Sequence, residues 1–132
     1  MISISISISE AEAQVMEVLW QAGQQSTEEI ALVLADREDW QLATIKTLLN
    51  RLLNKGAISA RKDGRRYLYS AVLKRTAWQR AQSTDLIDRV FGGSVAPLVA
   101  HFSEHRKLAA SDVEALKKLI DAYEKGTGGR NV

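Results

Sequence analysis

Residues 41–66 place seven bases, Lys46, Arg51, Lys55, Arg61, Lys62, Arg65 and Arg66, against one acid, Asp63, a net charge of +6. A basic block this concentrated is the footprint expected of a surface that holds phosphates. The preceding segment has the opposite sign: residues 1–40 carry Arg37 alone against eight acids, a net charge of −7. The whole chain sums to only +2, so the distribution of charge points to nucleic acid and the total does not. Among the bases stand Thr44, Thr47 and Asn50, short polar side chains able to reach base edges or phosphates. Charge alone also fits a solvated helix face followed by a charged turn.

Chemistry of other kinds is poorly provided for. There are no cysteines, which removes disulfides, thiolate metal sites and thiol catalysis and fits a reducing cytosol. Serines are plentiful, but the two histidines, His101 and His105, sit on one presumed helix far along the chain from the basic block. No Gly-rich phosphate loop is present. An enzyme, with its nucleophile and base or its clustered acids, is therefore not expected, and neither is a cofactor. The four-residue spacing of the histidines can place two imidazoles on one metal. Two ligands make an incomplete site, so the reading adopted is surface histidines on a charged helix, with no metal.

Elements that would position the basic block are announced by their ends. Ser9-x-x-Glu12, Ser26-x-x-Glu29 and Ser111-x-x-Glu114 each have the form of a capping box. The first helix is expected from about Glu10 to Ala22, burying Ala11, Val15, Val18 and Leu19. The second runs from about Thr27 to Ala35 with Ile30, Val33 and Leu34 on one side, and Trp40 packs from the connector. In a third helix, Leu42 to Asn54, a period of 3.6 gathers Leu42, Ile45, Leu48, Leu49, Leu52 and Leu53 on one face. Thr44, Lys46, Thr47, Asn50 and Arg51 fall on the other, and Gly56 stops the helix. Two strand-like runs, 57–61 and 66–70, flank a turn at Lys62-Asp63-Gly64-Arg65, with Asp-Gly as the hairpin signal. Three helices and a hairpin make a winged helix-turn-helix, with Lys62, Arg65 and Arg66 at the wing tip.

Beyond Val72 the pattern is helical: Lys74 to Phe91, a helix from Ser94 with Pro97 in its first turn, and Asp112 to about Glu124. Residues 125–132 read as a Gly-rich disordered tail. The alternating Ile2-Ser3-Ile4-Ser5-Ile6-Ser7-Ile8 reads as a frayed end or an extra edge strand. Short helices in the last 60 or so residues cannot bury their own apolar faces. Leu98, Val99, Phe102, Val113, Leu116, Ile120 and Tyr123 are expected to meet the same stripe of a second copy across a two-fold axis. The expected organisation is thus mainly α: a winged-helix DNA-binding domain at 1–72 and a helical dimerisation domain at 73–132. With no apolar run near the ~20 residues that span a bilayer and no secretory pattern at the start, no membrane and a cytoplasmic location are expected. Two rival functions stand beside DNA-binding repression: a protein-interaction winged helix, which calls for an acidic or apolar third-helix face, and a DNA-binding activator.

Several strings resemble the BlaI/MecI/CopY family of repressors. They are Ile8-Ser9-Glu10-Ala11-Glu12 with Val15-Met16-x-Val18-Leu19-Trp20; Thr44-Ile45-Lys46-Thr47-Leu48-Leu49-Asn50-Arg51-Leu52 with Lys55-Gly56; and Lys62-Asp63-Gly64-Arg65-Arg66-Tyr67-Leu68-Tyr69-Ser70. The likeness continues through Phe91-Gly92-Gly93-Ser94 and Leu98-Val99, covering about residues 8–124. It implies a homodimeric repressor that binds palindromic double-stranded operators. The chain departs from the family at Ala13, where Trp is frequent, and at Gln41-Leu42-Ala43, where Ser-Pro-Lys is frequent. The cysteine-rich tail of the copper-sensing members is absent. The lactam-responsive branch is inactivated by cleavage of an Asn-Phe bond, which implies a signalling protease as partner. The matching pair here is His101-Phe102, where Phe102 also reads simply as a core or dimer residue.

Overall fold

The computed structural model describes residues 6–105 and 108–127. Its elements follow one another as α1 (Glu10–Ala22), β1 (Gln25–Ser26), α2 (Thr27–Glu38), α3 (Leu42–Lys55), β2 (Ile58–Asp63), β3 (Arg66–Ala71), α4 (Arg75–Phe91), α5 (Ala96–His105) and α6 (Ala110–Ala122), with a π turn at Tyr123–Thr127. Two of the three expected capping boxes form. The Ser9 amide donates to Glu12 Oε1 at 2.7 Å, and the Glu12 amide donates to Ser9 Oγ at 3.1 Å. Ser26 and Glu29 repeat the arrangement at 2.8 and 3.2 Å. Each box satisfies two amides that the helix start leaves without intrahelical partners.

The third box does not form. α6 begins at Ala110 with Ala109 as its N-cap and no side-chain cap bond, so Ser111 lies inside the first turn. Two alanines, the best helix formers, carry the helix back past the serine, and the Val113 amide donates to the Ala109 carbonyl at 3.1 Å. α2 also runs longer than its apolar pattern, to Glu38, where Asp39 ends it at φ 57°; aspartate tolerates this left-handed conformation. Lys125–Thr127, expected in a disordered tail, lie in the π turn, and residues 128–132 fall outside the described residues. Of the Ile-Ser repeat, residues 1–5 also fall outside; Ile6–Ile8 form no strand, and Ile8 is buried against the core.

The sheet has three antiparallel strands in the order β1-β3-β2. β1 pairs Gln25 with Tyr69 and Ser26 with Leu68, a strand the sequence reading lacks because two residues carry no periodicity. The hairpin turns at Gly64-Arg65, between the terminal pair Asp63 and Arg66, one residue later than an Asp-Gly loop. Gly64 takes φ 66°, and no positive φ occurs at Arg65, as a II′ turn requires of its two central residues.

The chain divides into two compact units after Ser83, within α4. In the first, Val15, Met16, Leu19, Ile30, Leu34, Ile45, Leu49 and Leu52 form a core from α1, α2 and α3. Trp40 packs on it, whereas Val33 and Leu42 are exposed rather than buried, at 37% and 43%. The start of α4 is tied to α1. Arg75 pairs with Glu17 and lies over the Trp20 ring, whose centroid is 5.4 Å from that of Trp78. Three short helices and a hairpin carrying exposed bases constitute a winged helix-turn-helix. In the second unit, α5 and α6 have no fully buried residue. No helix among the described residues is long and apolar enough to cross a membrane.

Candidate nucleic-acid interface

α3 is held from below and at its C-terminal end, which leaves one face outward. Ile45, Leu48, Leu49 and Leu52 are buried. Thr44, Lys46, Thr47, Asn50 and Arg51, a 100° step pattern away, are all exposed. Gly56 closes the helix at φ 78°, its amide reaching the Leu52 and Leu53 carbonyls. Here a left-handed residue is required, and glycine supplies it without a Cβ penalty.

The hairpin stands beside this face. Lys46 and Asn50 of α3 line a groove of about 280 Å³ together with Arg65, Arg66, Tyr67 and Tyr69 of the hairpin and Thr27 and Glu28 of α2. Four of the eight expected contact residues therefore converge on one open cleft. Thr44, Thr47 and Arg51 lie on the exposed α3 surface outside its lining, and Lys62 lies on β2 opposite Tyr67. The Thr47 hydroxyl donates to the Ala43 carbonyl at 3.0 Å. Its oxygen lone pairs and its methyl group then remain to face a partner.

Not every base of the block is available to a phosphate. Lys55 Nζ donates to Glu12 Oε1 at 2.6 Å, and Glu12 is only 1% exposed. Burial pushes the Glu12 carboxyl up, but the bonds from Lys55 and Ser9 and the Lys55 charge outweigh it and hold the group below its ordinary value. Arg61 donates to Gln24 Oε1 at 3.2 Å. Arg66 meets Asp63 at 3.4 Å, with both side chains about half exposed. The Glu29 carboxyl is held low chiefly by the Ser26 amide and hydroxyl, with the Arg66 charge adding to the effect against a small opposing burial. Lys62 and Arg65 join no ion pair among the described residues.

The sequence reading missed four lining residues. Tyr67 and Tyr69 were marked by their period-2 alternation in the strand, which puts them on one face. Thr27 and Glu28 were marked by the Ser26 cap, which places them in the first turn of α2. No group of three or more His, Cys, Asp and Glu able to hold a metal occurs among the described residues.

Comparison with known proteins agrees with this geometry. The penicillinase repressor of Bacillus licheniformis is 28% identical over 117 residues, 89% of this chain and 91% of that protein. The methicillin resistance regulatory protein MecI of Staphylococcus aureus strain N315 is 30% identical over 114 residues, 86% of this chain and 93% of that protein. Among solved structures, the DNA binding domain of the repressor BlaI matches with a TM-score of 0.52 and 33% identity, over 58% of this chain and 93% of that one. The Bacillus licheniformis BlaI monomeric form in complex with the blaP half-operator matches with a TM-score of 0.50 and 35% identity, over 55% of this chain and 90% of that one. The penicillinase repressor family model matches residues 8–122, from the buried Ile8 to the end of α6, and the chain belongs to that family of transcriptional repressors, which are regulators and not enzymes.

Proposed function

We propose that this chain represses transcription by binding double-stranded operator DNA as a homodimer. The observation that carries the reading is the convergence of Lys46 and Asn50 on α3 with Arg65 and Arg66 on the hairpin around one open groove. In this arrangement α3 lies in a major groove and the hairpin follows adjacent phosphates. Thr44, Lys46, Thr47 and Asn50 meet base edges or phosphates, and Thr47 offers acceptors and a methyl. Arg51, a turn later, holds a phosphate, as do Lys62, Arg65 and Arg66. The solved complex of a relative with its half-operator supports DNA as the partner. The basic, polar character of the α3 face weighs against a winged helix that binds only protein.

The second copy is met through the second unit. Leu98, Val99, Phe102 and Leu116 line an apolar groove of about 330 Å³ between α5 and α6, while Val113, Ile120 and Tyr123 are exposed on α6 and the following turn. An apolar stripe repeated by a two-fold axis covers itself. Function then divides into DNA binding by residues 1–72 and dimerisation by 73–132, in the cytoplasm. A signalling protease acting at His101-Phe102 is the further partner that family likeness suggests.

Selection of bound fragments from genomic DNA, followed by transcription in vitro, tests the reading. Enriched sites are expected to be inverted repeats with half-site centres about 10–10.5 bp apart or a multiple of that, and added protein is expected to lower transcription. No enrichment over random sequence overturns the DNA reading; raised transcription from enriched sites replaces repression with activation.

A further inference from the structure

Against the sequence expectation of surface histidines without a metal, we propose from the placement of their rings that His101 and His105 form a two-imidazole chelate for a divalent transition-metal ion of the zinc, nickel or copper class. Both belong to α5, Ala96–His105, where a separation of four residues stacks side chains on one face. Their ring centroids are 5.0 Å apart and the ring planes are inclined by 43°. Metal chemistry demands a spacing of this size. With a Zn–N bond of about 2.0–2.1 Å and a nitrogen roughly 1.1 Å from its ring centre, each centroid stands roughly 3.2 Å from the ion. At a tetrahedral angle two such centroids are about 5.2 Å apart. The helix thus already holds the rings at a chelating separation, and the broad χ2 torsion of histidine aims the nitrogens.

The surroundings favour a cation. Both imidazoles are exposed, so an ion reaches them without opening the fold. The His101 ring meets Phe102 edge-on at 5.9 Å between centroids, which restricts its swing. Glu104 Oε1 lies 3.9 Å from His105 Nε2, placing negative charge beside the site. Since no third ligating side chain converges there among the described residues, water completes the shell. A site with open positions exchanges its ion, unlike a closed four-ligand structural site. Binding joins His101 to the last residue of α5 and so braces that end of the helix. Hard, oxygen-seeking ions such as Ca²⁺ have no ligand set here.

Calorimetric titration of the full chain with ZnCl2, CuCl2 and CaCl2 in a non-coordinating buffer tests the site without any DNA. One Zn²⁺ per chain is expected, with tighter Cu²⁺ binding and no Ca²⁺ binding. His101→Ala and His105→Ala are each expected to weaken Zn²⁺ binding at least tenfold while helix content by circular dichroism is unchanged. The imidazole ¹⁵N resonances of both histidines in the wild-type chain are expected to move together on zinc addition, a readout that needs no variant. No zinc uptake, uptake without movement of both imidazoles, or variants that bind as tightly as wild type would overturn the proposal.

Discussion

Replacing Lys62, Arg65 and Arg66 together with alanine probes whether the hairpin tracks phosphates. Lys62 and Arg65 join no ion pair among the described residues, while Arg66 is shared with Asp63 at 3.4 Å in a half-exposed pair. Such a pair contributes little and is screened by salt, so Arg66 releases Asp63 at small cost when a phosphate is offered. Two to three contacts are then lost, and the slope of log affinity against log salt is expected to shrink by about 1.8–2.7. From 50 to 200 mM salt each contact accounts for about a 3.5-fold change, so three account for about 40-fold. The affinity gap between wild type and variant therefore closes by up to that factor as salt rises. Arg65→Ala alone is expected to change the slope more than Arg66→Ala. Fluorescence anisotropy on a labelled duplex reads both slopes, on a preferred operator and on a random sequence. Weakened binding with an unchanged slope would refute the phosphate assignment, as would a loss confined to one sequence.

On the recognition face, Thr47→Ala is expected to cost about 1–3 kcal/mol on the preferred operator and little on random DNA, whereas Arg51→Ala weakens both; equal losses for Thr47→Ala on the two duplexes would reduce that threonine to a positioning role. Leu116→Asp puts a charge in the apolar groove of the second unit, at a typical cost of several kcal/mol in a covered interface. Sedimentation is then expected to show monomers with the winged helix still folded, and a wild-type chain monomeric at micromolar concentration would sink the dimer. Glu12→Gln removes the charge facing Lys55 and is expected to destabilise the first unit by about 1–3 kcal/mol. Because the folded carboxyl sits below its ordinary value of 4.5, its contribution is present above that pH and fades as pH falls through the lower folded value. Urea melts across this range are expected to show a flatter pH profile for the variant; parallel profiles would mean that the ion pair does not stabilise the fold.

The readable parts of this molecule were those set by near neighbours in the chain. Ser9 and Ser26 find their glutamates three residues on, and the α3 face follows from a period that the leucines state outright. Ser111 shows the limit of that logic: the same box spelled within alanine-rich sequence yields to helix propensity, and the cap falls two residues upstream at Ala109. The turn at Gly64-Arg65 was displaced because pairing of Asp63 with Arg66, not the Asp-Gly dipeptide, sets the loop. Lys55 reads from sequence as one more base of the block because its partner lies 43 residues away, a separation over which no local pattern operates. The same holds for Arg66, whose field reaches Glu29 on α2. Eight expected contact residues follow from sequence, but the groove that unites four of them required the hairpin and α2 to be in place.

The pair of buried Glu12 with Lys55 also explains how a short helix is kept at a fixed attitude while one side faces outward. Glu12 Oε1 accepts from the Ser9 amide at the start of α1 and from Lys55 in the last turn of α3. A cation at that end also suits the helix dipole. Immediately beyond, the Ala57 amide donates to the Leu52 carbonyl, and the Ala57 carbonyl accepts from the amides of Val72 and Leu73. The Leu73 carbonyl in turn accepts from Trp20 Nε1 at 2.8 Å. The C-terminal end of α3, the base of the hairpin and α1 are thus joined by one continuous set of hydrogen bonds. The angle between the α3 face and the wing is set at this junction, remote from the exposed residues that line the groove. Lys55 is thus engaged in fixing the attitude of α3, whereas Lys62 and Arg65 join no ion pair among the described residues and, under the proposed function, stay open to a phosphate.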